Sequence, residues 1–215
     1  MDRRVPRRRR PVAGEPLAAD APVLVFGHGA GAGVSHPWMI RIVADLATRG
    51  IRVVTFNFPY MDAGRRVPDP PPVLEAAFAS AWKAAAGRGP MFAGGKSMGG
   101  RIASQVAARG GFDPAPAGLV FCGYPLHPPG KPAQRRDKHL PAIAAPMLFL
   151  HGTRDPFGSP DEMRELVATL PSATLEIIDG GDHSLLAPRQ KPAASASLER
   201  AFDLAAGWIQ EHSSS

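Results

Sequence analysis

MFAGGKSMGGR, residues 91–101, runs from a short apolar segment into a helical pattern through the pentapeptide Gly95-Lys96-Ser97-Met98-Gly99. The pattern G-x-S-x-G carries weight because of what flanks it. Met91-Phe92-Ala93 reads as a strand, and Met98 to Arg109, stopped by Gly110-Gly111, reads as a helix. A serine on a sharp strand-to-helix turn is lifted above the sheet, and glycines beside it remove Cβ atoms that would collide there. The helix N-terminus adds unpaired N–H groups and positive potential next to the hydroxyl. The triplet Gly95-Lys96-Ser97 also fits part of a nucleotide-binding loop, but that motif needs a glycine six residues before the lysine, where this chain has Pro90.

Outward from this turn the chain keeps one rhythm. Short apolar runs occur at Val23–Phe26, Ile51–Phe58, Leu119–Cys122, Met147–Leu150 and Leu175–Ile178. They do not alternate with polar residues, so they suit strands buried on both faces. Helical patterns lie between and after them, at Trp38–Thr48, Val73–Ala86, Asp161–Leu170 and Leu198–Gln210. Ser159-Pro160 supplies an N-cap and an N1 proline for the third of these, and Pro171 stops it. Alternating strands and helices predict an α/β fold: a doubly wound, mostly parallel sheet of about six strands, with helices on both faces and no lid domain. Reactive groups in such sheets sit on loops at the carboxyl ends of strands.

Ser97 needs a base, and the base needs an orienting acid. The run 146–150 is followed by His151-Gly152-Thr153-Arg154-Asp155, and the last strand by Asp179-Gly180-Gly181-Asp182-His183. Asp155 and His183 are therefore the candidate acid and base, in the chain order serine, acid, histidine. Asp182 competes for the role of acid, but adjacency to His183 rarely gives the needed approach to the ring nitrogen. An oxyanion is expected to find the backbone N–H of Met98 and one from the loop Gly27-His28-Gly29-Ala30-Gly31-Ala32-Gly33, with Ala30 the favoured donor. That loop lacks the spacing of a dinucleotide site, since the third glycine would fall at Ala32. Phe58, Tyr60, Met61, Tyr124, Leu126, His127 and Phe157 lie just past strand ends and are expected to line a substrate pocket. Lys96 and Arg101 flank the serine and could attract acidic substrates, or else be solvated at the surface or held in a salt bridge.

Composition bounds the rest. The 215 residues suffice for one domain, taken as 21–212 behind a basic tail, 1–20. Residues 1–10 hold six arginines against one aspartate, which is +5 of the net +6, so the body carries about +1. Such a tail suits a solvated terminus better than a nucleic-acid arm, because nothing aromatic is interleaved to stack on bases. No apolar segment follows it as in a secretory leader, and no run approaches the roughly 20 residues of a membrane span. The single cysteine, Cys122, allows no intrachain disulfide and fits a reducing, cytoplasmic setting. His36, His127, His139 and His212 are scattered without ligand spacing, so no metal is expected.

The segments GHGAGAGVSHPWM (27–39), NFPYM (57–61), GGKSMGGR (94–101), GYPLHPPGKP (123–132), HGTRDPFG (151–158) and GDHSL (181–185) resemble a subfamily of α/β-hydrolase-like proteins. It includes testis-expressed protein 30 and a subunit of the NSL histone acetyltransferase complex, and is similar to the dienelactone hydrolases. The resemblance implies the same three residues, Ser97, Asp155 and His183, and implies no substrate. Dienelactone hydrolases carry a cysteine nucleophile where this chain has Ser97. The expectation is a serine hydrolase of small esters or thioesters, needing no cofactor and binding neither nucleic acid nor membrane, as a monomer or homodimer. A non-catalytic interaction module on the same fold is the alternative.

Overall fold

The computed structural model describes residues 17–188 and 193–213, so most of the expected basic tail lies outside the described residues. Six strands form one sheet: β1 (Val23–Gly27), β2 (Arg52–Phe56), β3 (Met91–Lys96), β4 (Gly118–Cys122), β5 (Met147–Gly152) and β6 (Ala173–Ile178). Every pairing is parallel, in the order β2-β1-β3-β4-β5-β6. The non-alternating runs have the cause expected of them. Val23, Val25, Met91, Ala93, Leu119, Phe121, Met147 and Phe149 enter one core, while Leu24, Phe26, Phe92, Val120, Cys122, Leu148 and Leu150 enter the other. Successive side chains of one strand thus bury on opposite faces, at about 1.5–3 kcal/mol for each large apolar group.

Helices α1 (Pro37–Ala47) and α6 (Ala193–Glu211) cover one face through Trp38, Met39, Ile42, Leu46, Phe202 and Trp208. On the other face lie α3 (Pro71–Ala84), α4 (Met98–Ala108) and α5 (Pro160–Ala168), carrying Leu74, Phe78, Trp82, Ile102, Val106 and Met163. Ser159 closes a capping box on α5, accepting from the Glu162 N–H while the Glu162 carboxylate accepts from the Ser159 N–H.

Two details depart from the sequence expectation. The run 51–58 stops as a strand at Phe56, because Phe58 is the N-cap of a one-turn helix, α2 (Pro59–Asp62), begun by Pro59. β3 continues past Ala93 to Lys96, taking Gly94 and Gly95 into the sheet. A Cβ on Gly94 would strike the Val120 carbonyl, so the strand's lack of side chains there is a packing requirement. The long connection from β4 to β5 holds one 3-10 turn, Leu140–Ala142, and no lid helix. It is tied down by Tyr124 Oη donating to the Arg136 carbonyl at 2.8 Å and by the His127 N–H donating to the Phe157 carbonyl at 3.0 Å.

The chain leaves β1 for β2 on one side and returns to β3 on the other. The crevice at the carboxyl ends of β1 and β3 is the point where such sheets bind ligands. The glycine-rich loop after Gly27 and the turn at Ser97 both open there.

Candidate active site

Ser97 is the N-cap of α4 and holds φ 50°, ψ −115°, a conformation costing roughly 1–3 kcal/mol for a residue with a side chain. The surrounding backbone enforces it. The Ser97 N–H extends the sheet ladder to the Cys122 carbonyl at 3.0 Å, while the Ser97 carbonyl accepts the helical bond of Arg101 at 3.1 Å. Gly95 and Gly99 let α4 lie directly against β3 and β1: a Cβ on Gly99 would meet the Gly27 carbonyl, and one on Gly95 the backbone of Gly99. The Ser97 side chain makes no capping bond, so its hydroxyl is free to face the crevice.

That hydroxyl meets a histidine. Ser97 Oγ lies 2.8 Å from His183 Nε2, and His183 Nδ1 lies 2.8 and 3.0 Å from the two oxygens of Asp155. A carboxylate can only accept, so Nδ1 carries the proton and Nε2 presents a lone pair to the hydroxyl. Asp155 is buried, and its Oδ1 also accepts the Phe157 N–H at 2.9 Å. The Phe157 ring stacks on the imidazole with centroids 4.1 Å apart. Gly123, at φ 62°, makes room for the pair, since a Cβ there would sit 2.5 Å from the His183 carbonyl and 3.3 Å from its Nδ1.

Backbone bonds tie the acid loop to the histidine loop. Thr153 N–H donates to the Ile178 carbonyl at 3.1 Å and Arg154 N–H to the Gly181 carbonyl at 2.8 Å. Asp182 does not compete for the ring; its Oδ1 accepts the N–H groups of Ser184 and Leu186. Lys96 donates to the His183 carbonyl at 3.4 Å and lies over the Trp38 ring, and its burial lowers the ammonium's pKa. This cation therefore braces the histidine loop. Arg101 is partly buried near Arg136 and Tyr124, with burial and the Arg136 charge lowering its pKa.

The loop after β1 is held by His28 and Asn57, which sequence reasoning did not single out, and by Tyr60, expected instead in the pocket lining. His28 is fully buried; its Nε2 accepts the Phe58 N–H at 3.0 Å, so its Nδ1–H donates to the Gly29 carbonyl at 2.7 Å. Burial lowers its pKa and keeps it neutral. Tyr60 Oη donates to the Ala30 carbonyl at 2.8 Å, and Asn57 Oδ1 accepts the Val34 N–H at 2.9 Å. Fixing the Gly29 carbonyl orients the same peptide unit's N–H, that of Ala30, to the opposite side. Gly29 borders the serine, with a Cβ position 3.8 Å from Ser97 Cβ. Met98 is buried in the first turn of α4, where backbone N–H groups lack helical partners.

The expected pocket lining divides. Phe58, Tyr60, Tyr124 and Leu126 are 0–1% exposed and form packing beneath the crevice, because each turns back into the core between the sheet and α3 to α5. His127 is buried too, its Nδ1 bonding the Pro128 carbonyl at 2.9 Å and its Nε2 facing Glu162. Met61 and Phe157 alone of the seven are partly exposed. The only described cysteine, Cys122, is buried, which pushes its thiol up to about 12 and leaves it inert. Among the described residues no cluster of three or more His, Cys, Asp or Glu is placed to hold a metal, and no helix is long and apolar enough to cross a membrane.

Known structures share this architecture. Est1E from Butyrivibrio proteoclasticus superposes with a TM-score of 0.68 at 13% identity, over 92% of this chain and 90% of that one. Dienelactone hydrolase from Anabaena variabilis gives 0.66 at 20% identity, over 93% and 94%. The monoacylglycerol lipase of Paleococcus ferrophilus gives 0.64 at 17%, over 89% and 95%. Likeness at these identities is likeness of fold. The family model described as alpha/beta hydrolase domain matches residues 20–210, and with that match over nearly the whole described fold, the chain belongs to the alpha/beta hydrolase domain family.

Proposed function

We propose that the protein is a serine hydrolase that cleaves a small ester or thioester through an acyl-enzyme intermediate. The observation that carries this reading is the unbroken chain Ser97 Oγ, His183 Nε2, His183 Nδ1, Asp155, with every link at 2.8 to 3.0 Å. Ser97 Oγ attacks the substrate carbonyl carbon while its proton passes to His183 Nε2. The tetrahedral intermediate places its oxyanion between the N–H groups of Ala30 and Met98. His183 returns the proton to the departing alcohol or thiol, leaving Ser97 acylated. Water then attacks the acyl carbon with His183 again as base, releasing the acid and restoring the serine. Asp155, buried and anionic, holds the imidazole's tautomer and stabilises its transient charge. No step calls for a cofactor.

A crevice without a lid, bordered by Met61 and Phe157, suits small acyl groups. The motifs at 27–39, 94–101 and 151–158 support membership of the small dienelactone-hydrolase-like subfamily, with serine in place of cysteine as nucleophile. The test is a fluorescent phosphonate probe, which forms a bond only to an activated serine. Labelling in wild type, lost in both Ser97→Ala and His183→Ala, is the expected result. A folded wild type that takes no label would overturn the reading in favour of a catalytically inert interaction module.

A further inference from the structure

His151 is the last side chain before Gly152 at the end of β5, and nothing in the mechanism above uses it. It is fully buried, and its Nε2 lies 2.8 Å from the Gly158 carbonyl. A carbonyl only accepts, so Nε2 bears the proton. The other nitrogen, Nδ1, is then a bare lone pair. It is buried, has no hydrogen-bond partner among the described residues, and faces Asp155 Oδ2 at 3.8 Å, with neither side chain exposed to solvent. A lone pair beside a carboxylate is an unfavourable contact, and a buried acceptor without a donor costs about 1–3 kcal/mol. Ordinary packing would have met the same space with an apolar side chain, or with a donor that bonds the carboxylate.

The charged and titratable groups around His151 explain how this state persists. Asp155 on its own loop, Glu162 on α5 and the tether to Gly158 favour protonation; His183 from the loop after β6 opposes it, and His127 lies behind Glu162. Burial outweighs them and lowers the His151 pKa, so the ring stays neutral. Among the described residues the acid of the site therefore has one donor side chain, His183, plus the Phe157 N–H, and its remaining flank faces a buried ring nitrogen that does not donate to it.

We propose that His151 is a positioning residue: its Nε2–H anchors the loop carrying Asp155, and its unprotonated Nδ1 reserves the Asp155 charge for His183. This rests on the assignment of Asp155 and His183 as acid and base. Each further donor on a carboxylate weakens the field it applies to a neighbouring imidazolium. A donor at the Nδ1 position should therefore lower the pKa of His183 and weaken it as a base.

Two substitutions separate the two halves of the role. In His151→Gln the amide nitrogen falls near Nε2 and keeps the Gly158 tether with no group beside Asp155. In His151→Asn the amide falls near Nδ1 and donates to Asp155 Oδ2. Long-range 1H–15N spectra of the histidine side chains, followed from pH 5 to 8.5, read the outcome without a substrate. Wild type should show Nε2 protonated and Nδ1 bare on His151 at pH 7.5. The His183 titration should move down by about half a unit in His151→Asn and stay in place in His151→Gln, with kcat/KM for p-nitrophenyl acetate down about three- to ten-fold in the former only. The spectra stand even where that ester is not turned over, so failure of the hydrolase assignment would be recognised separately. A protonated Nδ1 in wild type would overturn the proposal even if neither variant folded. So would equal His183 titrations in the two variants.

Discussion

Replacing Asp155 by asparagine keeps the shape of the side chain and removes its charge. The cost follows from the geometry. In the transition state His183 is an imidazolium whose charge centre lies about 4 Å from the carboxylate, and an effective dielectric constant of about 20 makes that attraction worth about 4 kcal/mol. At 1.36 kcal/mol per decade this is a loss of about 10³ in kcat. A second effect adds to it. The introduced amide can donate to His183 Nδ1, which moves the ring proton to Nε2, where it faces Ser97 Oγ as a donor and cannot take the hydroxyl proton. The expected fall is therefore at least 10³, with KM nearly unchanged, because nothing in Asp155 reaches the crevice. Stopped-flow or steady-state hydrolysis of p-nitrophenyl acetate by the two proteins measures it, with a thermal melt to verify folding. A fall of less than about thirty-fold in a folded variant would refute the reasoning, since the buried carboxylate would then contribute less than half of the calculated attraction.

Other consequences are checked more briefly. Burial lowers the pKa of His28, His139 and His151, so each binds a proton more readily unfolded than folded; stability should decline as pH falls below about 6.5, measured as Tm from pH 8 to 5. Glu162, held at about 2 by the Ser159 N–H and hydroxyl, acts lower: its stabilisation is present above the ordinary carboxylate range and is lost as pH falls toward 2, and a Glu162→Gln melt should converge with wild type there. Gly99→Ala forces a Cβ onto the Gly27 carbonyl and must push α4 off β1, so hydrolysis should fall at least 100-fold through displacement of Ser97, an effect a crystal structure would locate. Phe157→Ala removes the ring stacked on His183, and a kcat loss of about three- to ten-fold is expected from about 1 kcal/mol of lost contact.

The fold was legible because burial on both faces writes itself into strands as unbroken apolar runs, and glycine and proline mark where the helices stop. The order of Ser97, Asp155 and His183 after three separate strand ends was legible for the same reason: a parallel sheet brings successive carboxyl ends to one edge. The glycines of β3 were not, because a strand residue without a side chain carries no apolar signal. Nor was the burial of Phe58, Tyr60, Tyr124 and Leu126. Sequence position puts these residues past strand ends, but whether a side chain turns up into a crevice or down into the core depends on the backbone after the strand, here the short α2 helix and the tied loop after β4. His28 and His151 were hidden for a related reason. A neutral buried histidine is specified by its hydrogen-bond partners, for His28 the distant Phe58 N–H and for His151 the Gly158 carbonyl across the Asp155 loop, and no apolar periodicity announces either.

The most direct test of the central claim is the hydrolysis of p-nitrophenyl acetate by wild type and by Ser97→Ala at equal concentrations. Ser97 as nucleophile requires turnover in wild type and a rate in the variant reduced by at least 10³, toward the residual that oxyanion donors alone sustain. Equal turnover by the two proteins would contradict it and move the chemistry away from Ser97.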